Sequence, residues 1–537
     1  MPIIAALIVA AAAYQAQQGG GPKSSDEEAE DPDKTSPPDI TPGFLENKTP
    51  LELLPLEQSL TMLEWPISTV SFYRFASSGA SNANDDVVDA IVGRIERRVQ
   101  AILRANPWLG GWLVRGKGIG SFDNTPRIWY DPAGTKMAPT IFQRLSHDDV
   151  PLNADTPYAE YGPVLAGSPH CATVNTNPEI VNRKDQPLFR ITVVVPSSSE
   201  RNELALIASM SHICGDGHTF YRIHHMVLGT EPIASLIPKR ELLYSQKVME
   251  LMGRQEAHYI HHLTTDPAWM KLFRKGSDIS QVKEEENAGT VPPKNGNLEG
   301  RVFLIDRHWI ANIKASYMTE GKFTNLFTST LRSPMTSRAI LDEIEKTDDR
   351  NTTQSTNDIV CSFFWNLVKP RVGFMSMNFR GRLDVLNEDH AGNYANPVPY
   401  TEDDYKSAAL IRKSLETCRR VGTVAGSNNV PTVLPRPHPD LTFSVITNWS
   451  SFPRHNSTDK LGVDDDLDWK NSLNVELIRH LPIIYPQRMI KKMPKRMSFL
   501  VIFSSGPEDI GCLLIAPGHV MQEIDTCGVI KEIIAKF

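Results

Sequence analysis

The stretch Leu204-Ala-Leu-Ile-Ala-Ser-Met-Ser-His-Ile-Cys-Gly-Asp-Gly217 decides how this chain is read. Its first seven residues are almost all apolar, the pattern of a buried strand, and the glycines at 215 and 217 let the backbone turn sharply directly after it. Such a turn leaves the His212 side chain at the rim of a sheet, within reach of a substrate. Imidazole, with an ordinary pKa of about 6.5, is largely unprotonated near neutral pH and can take a proton from a hydroxyl or an amine. That is general-base chemistry. Asp216, four residues on, has two roles open to it: it can orient the ring, or turn away and pin the loop through an ion pair. Spacing does not choose between them, and without further context a His and an Asp four apart are most often turn and capping residues.

Working outward, apolar runs at 188–195 and 204–210 read as two strands around a charged turn, and 59–76 as a third. Residues 87–105 carry apolar side chains at helical spacing, ended by the Pro and paired Gly of Arg104-Ala-Asn-Pro-Trp-Leu-Gly-Gly-Trp112. Helices are expected at 218–229 and 239–263. The acidic and Pro-rich stretch 281–300 reads as an exposed connection. After it come a strand at 302–305, helices at 309–317 and 357–368, and strands at 372–378, 441–447 and 497–503. The implied organisation is a disordered or targeting segment at 1–43, a first subdomain at 44–235, a crossover linker at 236–300 and a second subdomain at 301–537. No short-period repeat is present.

The pattern His-x-x-x-Asp-Gly after a strand resembles the signature of the chloramphenicol-acetyltransferase-like superfamily, which includes BAHD-type plant acyltransferases, fungal trichothecene acetyltransferases, wax ester synthases and condensation domains. Other segments agree in order. Leu103-Arg-Ala-Asn-Pro-Trp-Leu-Gly-Gly-Trp-Leu113 is similar to the family's early helix end. Ser355-Thr-Asn-Asp-Ile-Val-Cys-Ser-Phe-Phe-Trp365 is similar to the start of its second-domain helix, with Ser355 as N-cap. Asn378-Phe-Arg-Gly-Arg-Leu383 resembles its Asp/Asn-x-Arg-x-Arg segment, Gly392-Asn-Tyr-Ala-Asn-Pro397 its Tyr-x-Gly-Asn loop, and Thr447-Asn-Trp449 its Thr-Ser-Trp strand.

The resemblance implies an α/β fold of two similar chloramphenicol-acetyltransferase-like subdomains, mixed sheets with flanking helices, and an active-site channel between them. It implies His212 as base, beside Gly217, and Asp216 in a structural ion pair with Arg380 or Arg382 across the domains. Thr447 becomes a donor to the thioester oxygen, with Trp449 and Asn378 lining the channel. Thr447 also reads simply as a β-branched strand residue. The activity implied is transfer of an acyl group from acyl-CoA, a co-substrate rather than a bound cofactor, to a hydroxyl or amine by direct attack. A carrier-protein-dependent condensation enzyme and a catalytically silent binding relative are the alternatives. Two departures bear on this: the late Asp-Phe-Gly-Trp-Gly motif of the plant enzymes is reduced to Asp468-Trp-Lys-Asn-Ser472, and Ser211 stands where condensation domains and wax ester synthases carry a second His. The second departure favours free acyl-CoA.

Composition narrows the classes further. A chain of 537 residues holds several cores at roughly 100 to 200 residues per domain, and 40% hydrophobic with 22% charged residues is the balance of a folded globular protein. A net charge of −7 gives no general attraction to nucleic acid. The six cysteines include no Cys-x-x-Cys pair, which suits free thiols in a reducing compartment. The expectation is a cytoplasmic monomer acting on small molecules. Against it, the apolar run 3–13, with Ala11 and Ala13 as a small-residue cleavage site, keeps a signal or anchor open as an alternative. Residues 15–39 read as a disordered linker. Sequons begin at Asn47, Asn351, Asn448 and Asn456. His258, His261 and His262 share a helical face as metal ligands do, but a solvated face fits better, so no metal is expected. Arg488, Lys491, Lys492, Lys495 and Arg496 form a basic cluster able to meet coenzyme A phosphates, or simply an exposed charged surface. Cys214 has nothing near it in sequence to lower its pKa.

Overall fold

A computed structural model of the chain describes residues 40–75, 81–116, 125–134, 140–168, 172–177, 180–197, 202–228, 232–253, 297–320, 355–421, 442–451, 475–484, 497–506 and 509–537, with a few single positions besides. The 3–13 run, the 15–39 linker, the face of His258, His261 and His262, the 281–296 part of the connection, Asp468 and the five residues of the basic cluster lie outside the described residues. The fold is mixed α/β and the chain forms two compact units. It does not divide at one point. The first unit takes Met1–Lys247, Asn378–Ala395 and Ser451–Tyr485, and the second takes Val248–Met377, Asn396–Ser450 and Pro486–Phe537.

The main sheet of the first unit has five strands in the order Val475–Pro482, Ile67–Phe75, Glu203–Met210, Phe189–Val195, Phe142–Ser146. All neighbours are antiparallel except the last pair. The three central strands are buried along nearly their whole length, which is why they read as continuous apolar runs and not as alternating ones. Helix Ser81–Ala105 packs on the sheet and on helix Gly217–Leu228. A smaller antiparallel sheet joins Thr49–Leu51, Arg127–Tyr130 and Trp112–Val114. Trp112 meets Phe44 edge to face at 5.0 Å.

The second unit is built on a seven-stranded sheet in the order Ala395–Tyr400, Val372–Asn378, Phe443–Asn448, Met497–Ser504, Ile510–Pro517, Leu298–Ile305, Ile530–Lys536. Phe443–Asn448 runs parallel to both of its neighbours, and from Met497–Ser504 to Ile530–Lys536 each neighbouring pair is antiparallel. Helix Thr356–Val368 starts on a capping box: Ser355 Oγ accepts from the Asp358 amide at 3.4 Å, and Asp358 Oδ2 accepts from the Ser355 amide at 2.7 Å. The helix carries the fully buried Trp365, whose Nε1 donates to Ser444 Oγ at 3.2 Å and whose ring tilts against Tyr400 and Tyr405. The indole fits because Gly373 stands beneath it on Val372–Asn378. A Cβ there would lie 2.8 Å from Trp365 Cε2. Gly373→Ala should therefore destabilise the protein by about 1 to 3 kcal/mol, the usual cost of overpacking a core. Gly43→Ala, where a Cβ meets nothing within 4 Å, is the control. Equal melting temperatures for the two variants would refute this account of the Trp365 seat.

Candidate functional site

The strand Glu203–Met210 is buried from Leu204 to its end, and the Ser211 amide still bonds to Leu188 O at 2.7 Å. The chain then turns, with the Cys214 amide on Ser211 O at 2.9 Å, and enters helix Gly217–Leu228. His212 is the half-buried residue of that turn. Neither Gly215 nor Gly217 adopts a left-handed conformation here. The sharp turn expected of their backbone freedom is made without it, and Gly215 is needed for space, since a Cβ would sit 2.7 Å from Thr219 Cβ.

Asp216 heads the helix. Its Oδ1 accepts from the Thr219 amide at 3.1 Å, the N-cap bond, and its Oδ2 accepts from Arg380 Nη1 at 2.8 Å and from the Tyr394 amide at 3.0 Å. Neither oxygen is hydrogen-bonded to the His212 ring. Arg380 has no exposed side-chain surface. Its Nη2 donates to Gly392 O at 2.7 Å, its Nε to His390 O at 2.7 Å, and its Nη1 also reaches Asn378 Oδ1 at 3.1 Å. Burial alone would raise the Asp216 pKa. The charge and hydrogen bond of Arg380, helped by His218 and the Thr219 amide, together outweigh it and hold the carboxyl below its usual value. The arginine at Asp216 is Arg380, while Arg382 is exposed. Sequence order puts Arg380 in the second subdomain, but residues Asn378–Ala395 pack into the first unit, so both members of the pair lie in that unit.

The segment Gly392-Asn-Tyr394 runs along the motif residue by residue. Gly392 O accepts from the Asp216 amide at 3.2 Å, and the Tyr394 amide serves Asp216. Asn393, between them, takes His212. Asn393 Nδ2 donates to the His212 carbonyl at 2.7 Å, so its Oδ1 is the atom that faces His212 Nδ1 at 2.9 Å. An amide oxygen only accepts, so Nδ1 carries the proton and Nε2 keeps its lone pair. Among the described residues no hydrogen bond engages Nε2. Burial lowers the His212 pKa below the ordinary imidazole value, more than the nearby Asp216 charge raises it.

Asn393 lies in a segment that sequence comparison leaves ambiguous between two asparagines, and Glu57 and Arg240, which back it, carry no sequence signal. Asn378, expected to line a channel, accepts from the Arg380 amide and side chain. Thr447 and Trp449 belong to the second unit. Thr447 is half-buried in register with Val501, and the Trp449 amide bonds to Ile502 O at 2.7 Å. Cys214 is buried, and burial pushes its thiol up to about 12, which leaves almost no thiolate at neutral pH. Among the described residues no group of three or more His, Cys, Asp or Glu is placed to hold a metal ion, and no helix is long and apolar enough to cross a membrane.

The sequence matches no known family model and no curated protein. Solved structures to which the chain is similar include TRI101 of F. sporotrichioides with coenzyme A and T-2, at 12% identity, covering 90% of this chain and 100% of that one with a TM-score of 0.48. Vinorine synthase is similar at 12% identity, covering 90% and 95%, TM-score 0.47. The condensation domain of the Monacolin K polyketide synthase MokA is similar at 10% identity, covering 91% and 99%, TM-score 0.46. These three are members of the chloramphenicol-acetyltransferase-like fold group.

Proposed function

We propose that the chain is an acyltransferase that moves an acyl group from acyl-CoA to a hydroxyl or amine acceptor, with His212 as the general base. The observation that carries the reading is the state of the His212 ring: Nδ1 is committed to Asn393 at 2.9 Å, and burial keeps the imidazole neutral. Nε2 then takes the acceptor's proton as its oxygen or nitrogen attacks the thioester carbonyl. The carbon–sulfur bond of the resulting tetrahedral species breaks, and the imidazolium returns the proton to the departing thiolate. No acyl-enzyme forms, and Cys214, with its pKa pushed up to about 12, supplies no nucleophile. Asp216 serves the reaction by holding the turn in place rather than by touching the ring.

The test is release of free thiol from a panel of acyl-CoAs mixed with alcohols and amines. His212→Ala should lower turnover by roughly 10² to 10⁴ with the fold intact. A purified variant with wild-type turnover removes the mechanism.

The pH dependence has a defined sign. A base whose pKa is lowered is active above that pKa, so kcat/KM should rise through one ionisation with a midpoint below the ~6.5 of free imidazole and stay level above it. Asp216→Asn deletes the charge that raises His212 and should move the midpoint lower still. A midpoint above 7 in either protein contradicts this electrostatic picture.

Asp216→Asn should also cost about 3 to 5 kcal/mol of stability, because it leaves the Arg380 guanidinium buried without its counter-charge. A carboxyl with a depressed folded pKa contributes stability that is whole above its unfolded value and lost as pH falls through the folded one. The wild-type advantage over Asp216→Asn should hence be complete at neutral pH and shrink below about pH 4. Urea midpoints of Asp216→Asn, Arg380→Gln and the double variant should show a coupling above about 1 kcal/mol, whereas Arg382→Gln should show none. Additive losses with Arg380 would overturn the pairing.

A further inference from the structure

Glu57 is fully buried in the turn that follows Leu54, and its carboxylate lies among four hydrogen-bond donors. Oε2 accepts from the Leu54 amide at 2.9 Å and from Arg240 Nε at 2.8 Å. Oε1 accepts from the Asn393 amide at 2.8 Å and from Asn393 Nδ2 at 3.0 Å. Neither side chain of the Glu57–Arg240 pair has exposed surface. The guanidinium reaches further, Nη2 to Cys214 O at 2.9 Å and Nη1 to Ala391 O at 2.7 Å. The pair thus ties three pieces of backbone together: the Leu54 turn, the turn that carries His212, and the segment that carries Asn393. It crowds Gly392, where a Cβ would be 3.0 Å from Arg240 Nε and the φ of 141° is one that side-chain-bearing residues rarely adopt.

We propose that Glu57 is a positioning residue for His212: its carboxylate, held by Arg240, fixes the Asn393 side-chain amide in the one orientation that puts a proton on His212 Nδ1 and the lone pair on Nε2. This rests on the reading of His212 as a base. The argument is one of donors and acceptors. An ionised carboxylate accepts at both oxygens and donates at neither, so it meets the Asn393 NH2 and repels the amide oxygen. The same NH2 satisfies the His212 carbonyl, which leaves only Oδ1 for the ring. If the amide were turned over, its oxygen would face the Glu57 carboxylate and the His212 carbonyl, and its NH2 would face Nδ1. The ring would then have to carry its proton on Nε2, where it cannot act as a base. Glu57 acts without touching the imidazole and without adding a charge directly to it.

Glu57→Gln is the informative change, because a glutamine of nearly the same shape offers one acceptor where the carboxylate offers two. Its NH2 must face either two donors, Leu54 N and Arg240 Nε, or the Asn393 backbone amide together with the Asn393 side chain, and of these four groups only the Asn393 side-chain amide can turn over to receive it. The first measurement is on the wild-type chain: two-bond ¹H–¹⁵N correlation of ¹⁵N-histidine protein above the imidazole pKa, with His212 identified by the signal lost in His212→Ala. The Nδ1–H tautomer is expected, and an Nε2–H tautomer overturns the proposal even if no Glu57 variant folds. In Glu57→Gln the Nε2–H form should appear, with kcat reduced at least about tenfold and by no more than the roughly 10² to 10⁴ attributed to the base itself, and KM nearly unchanged. A folded Glu57→Gln chain with the wild-type tautomer and wild-type kcat overturns it. The tautomer is read without substrate, so a chain that shows the expected switch but transfers no acyl group refutes the proposed function and leaves the positioning role standing.

Discussion

A carboxylate buried at the head of a helix is the constraint on which the site depends. Desolvation would drive Asp216 towards its neutral form, and the Arg380 guanidinium at 2.8 Å, with the smaller pull of His218 and the Thr219 amide, reverses it, so the residue stays charged inside the fold. That charge then organises its surroundings. It caps helix Gly217–Leu228 through the Thr219 amide and draws in the Tyr394 amide, which fixes the chain from Gly392 to Tyr394 beside the turn. Buried ion pairs rarely stabilise more than the apolar groups that might replace them, because both partners lose their hydration. What this pair supplies is a defined geometry, which an apolar contact, being non-directional, would not impose on a turn that must present one imidazole.

A second buried pair, Glu57 with Arg240, sits on the other side of the same segment. The two pairs divide the chain from Ala391 to Tyr394 between them: Arg240 takes the Ala391 carbonyl, Arg380 takes Gly392, Glu57 takes Asn393, and Asp216 takes the Tyr394 amide. Every one of those polar groups is engaged. A partly satisfied network at this depth would cost more than an apolar one, so removal of any single member is felt by the others.

Much of the fold was legible because its central strands are buried on both faces and its helices carry regular apolar spacing. The expected strand at 188–195 is Phe189–Val195, the expected helix at 357–368 is Thr356–Val368, and Ser355 does cap it. The edge strand Val475–Pro482 was not legible, and the reason is local. Its register shifts between Leu477 and Arg479, so the alternation that marks a half-buried strand breaks in the middle. The interleaving of the two units could not be read either, since hydrophobic period reports which face of an element is buried and nothing about which neighbour covers it. The same limit applies at the site. His212 and Asp216 lie four apart and announce themselves, whereas Glu57 and Asn393 are 336 positions apart and become partners only in space.

The arrangement also explains why an amide and not a carboxylate faces His212. A carboxylate on Nδ1 would fix the same tautomer but, as a negative charge in contact with the ring, would raise the imidazole pKa and retain a proton on it at neutral pH. Asn393 fixes the tautomer without that charge, and the charges that make Asn393 reliable, Glu57 and Arg240, are held one residue further away and largely cancel. Burial then lowers the His212 pKa against the Asp216 charge and the smaller upward pull of the Asn393 hydrogen bond and of a backbone contact. In the proposed role of base, a weaker imidazole present almost wholly in its neutral form suits a thioester donor, because a thiol with an ordinary pKa of about 8.5 departs far more readily than an alcohol and asks little of the group that returns its proton.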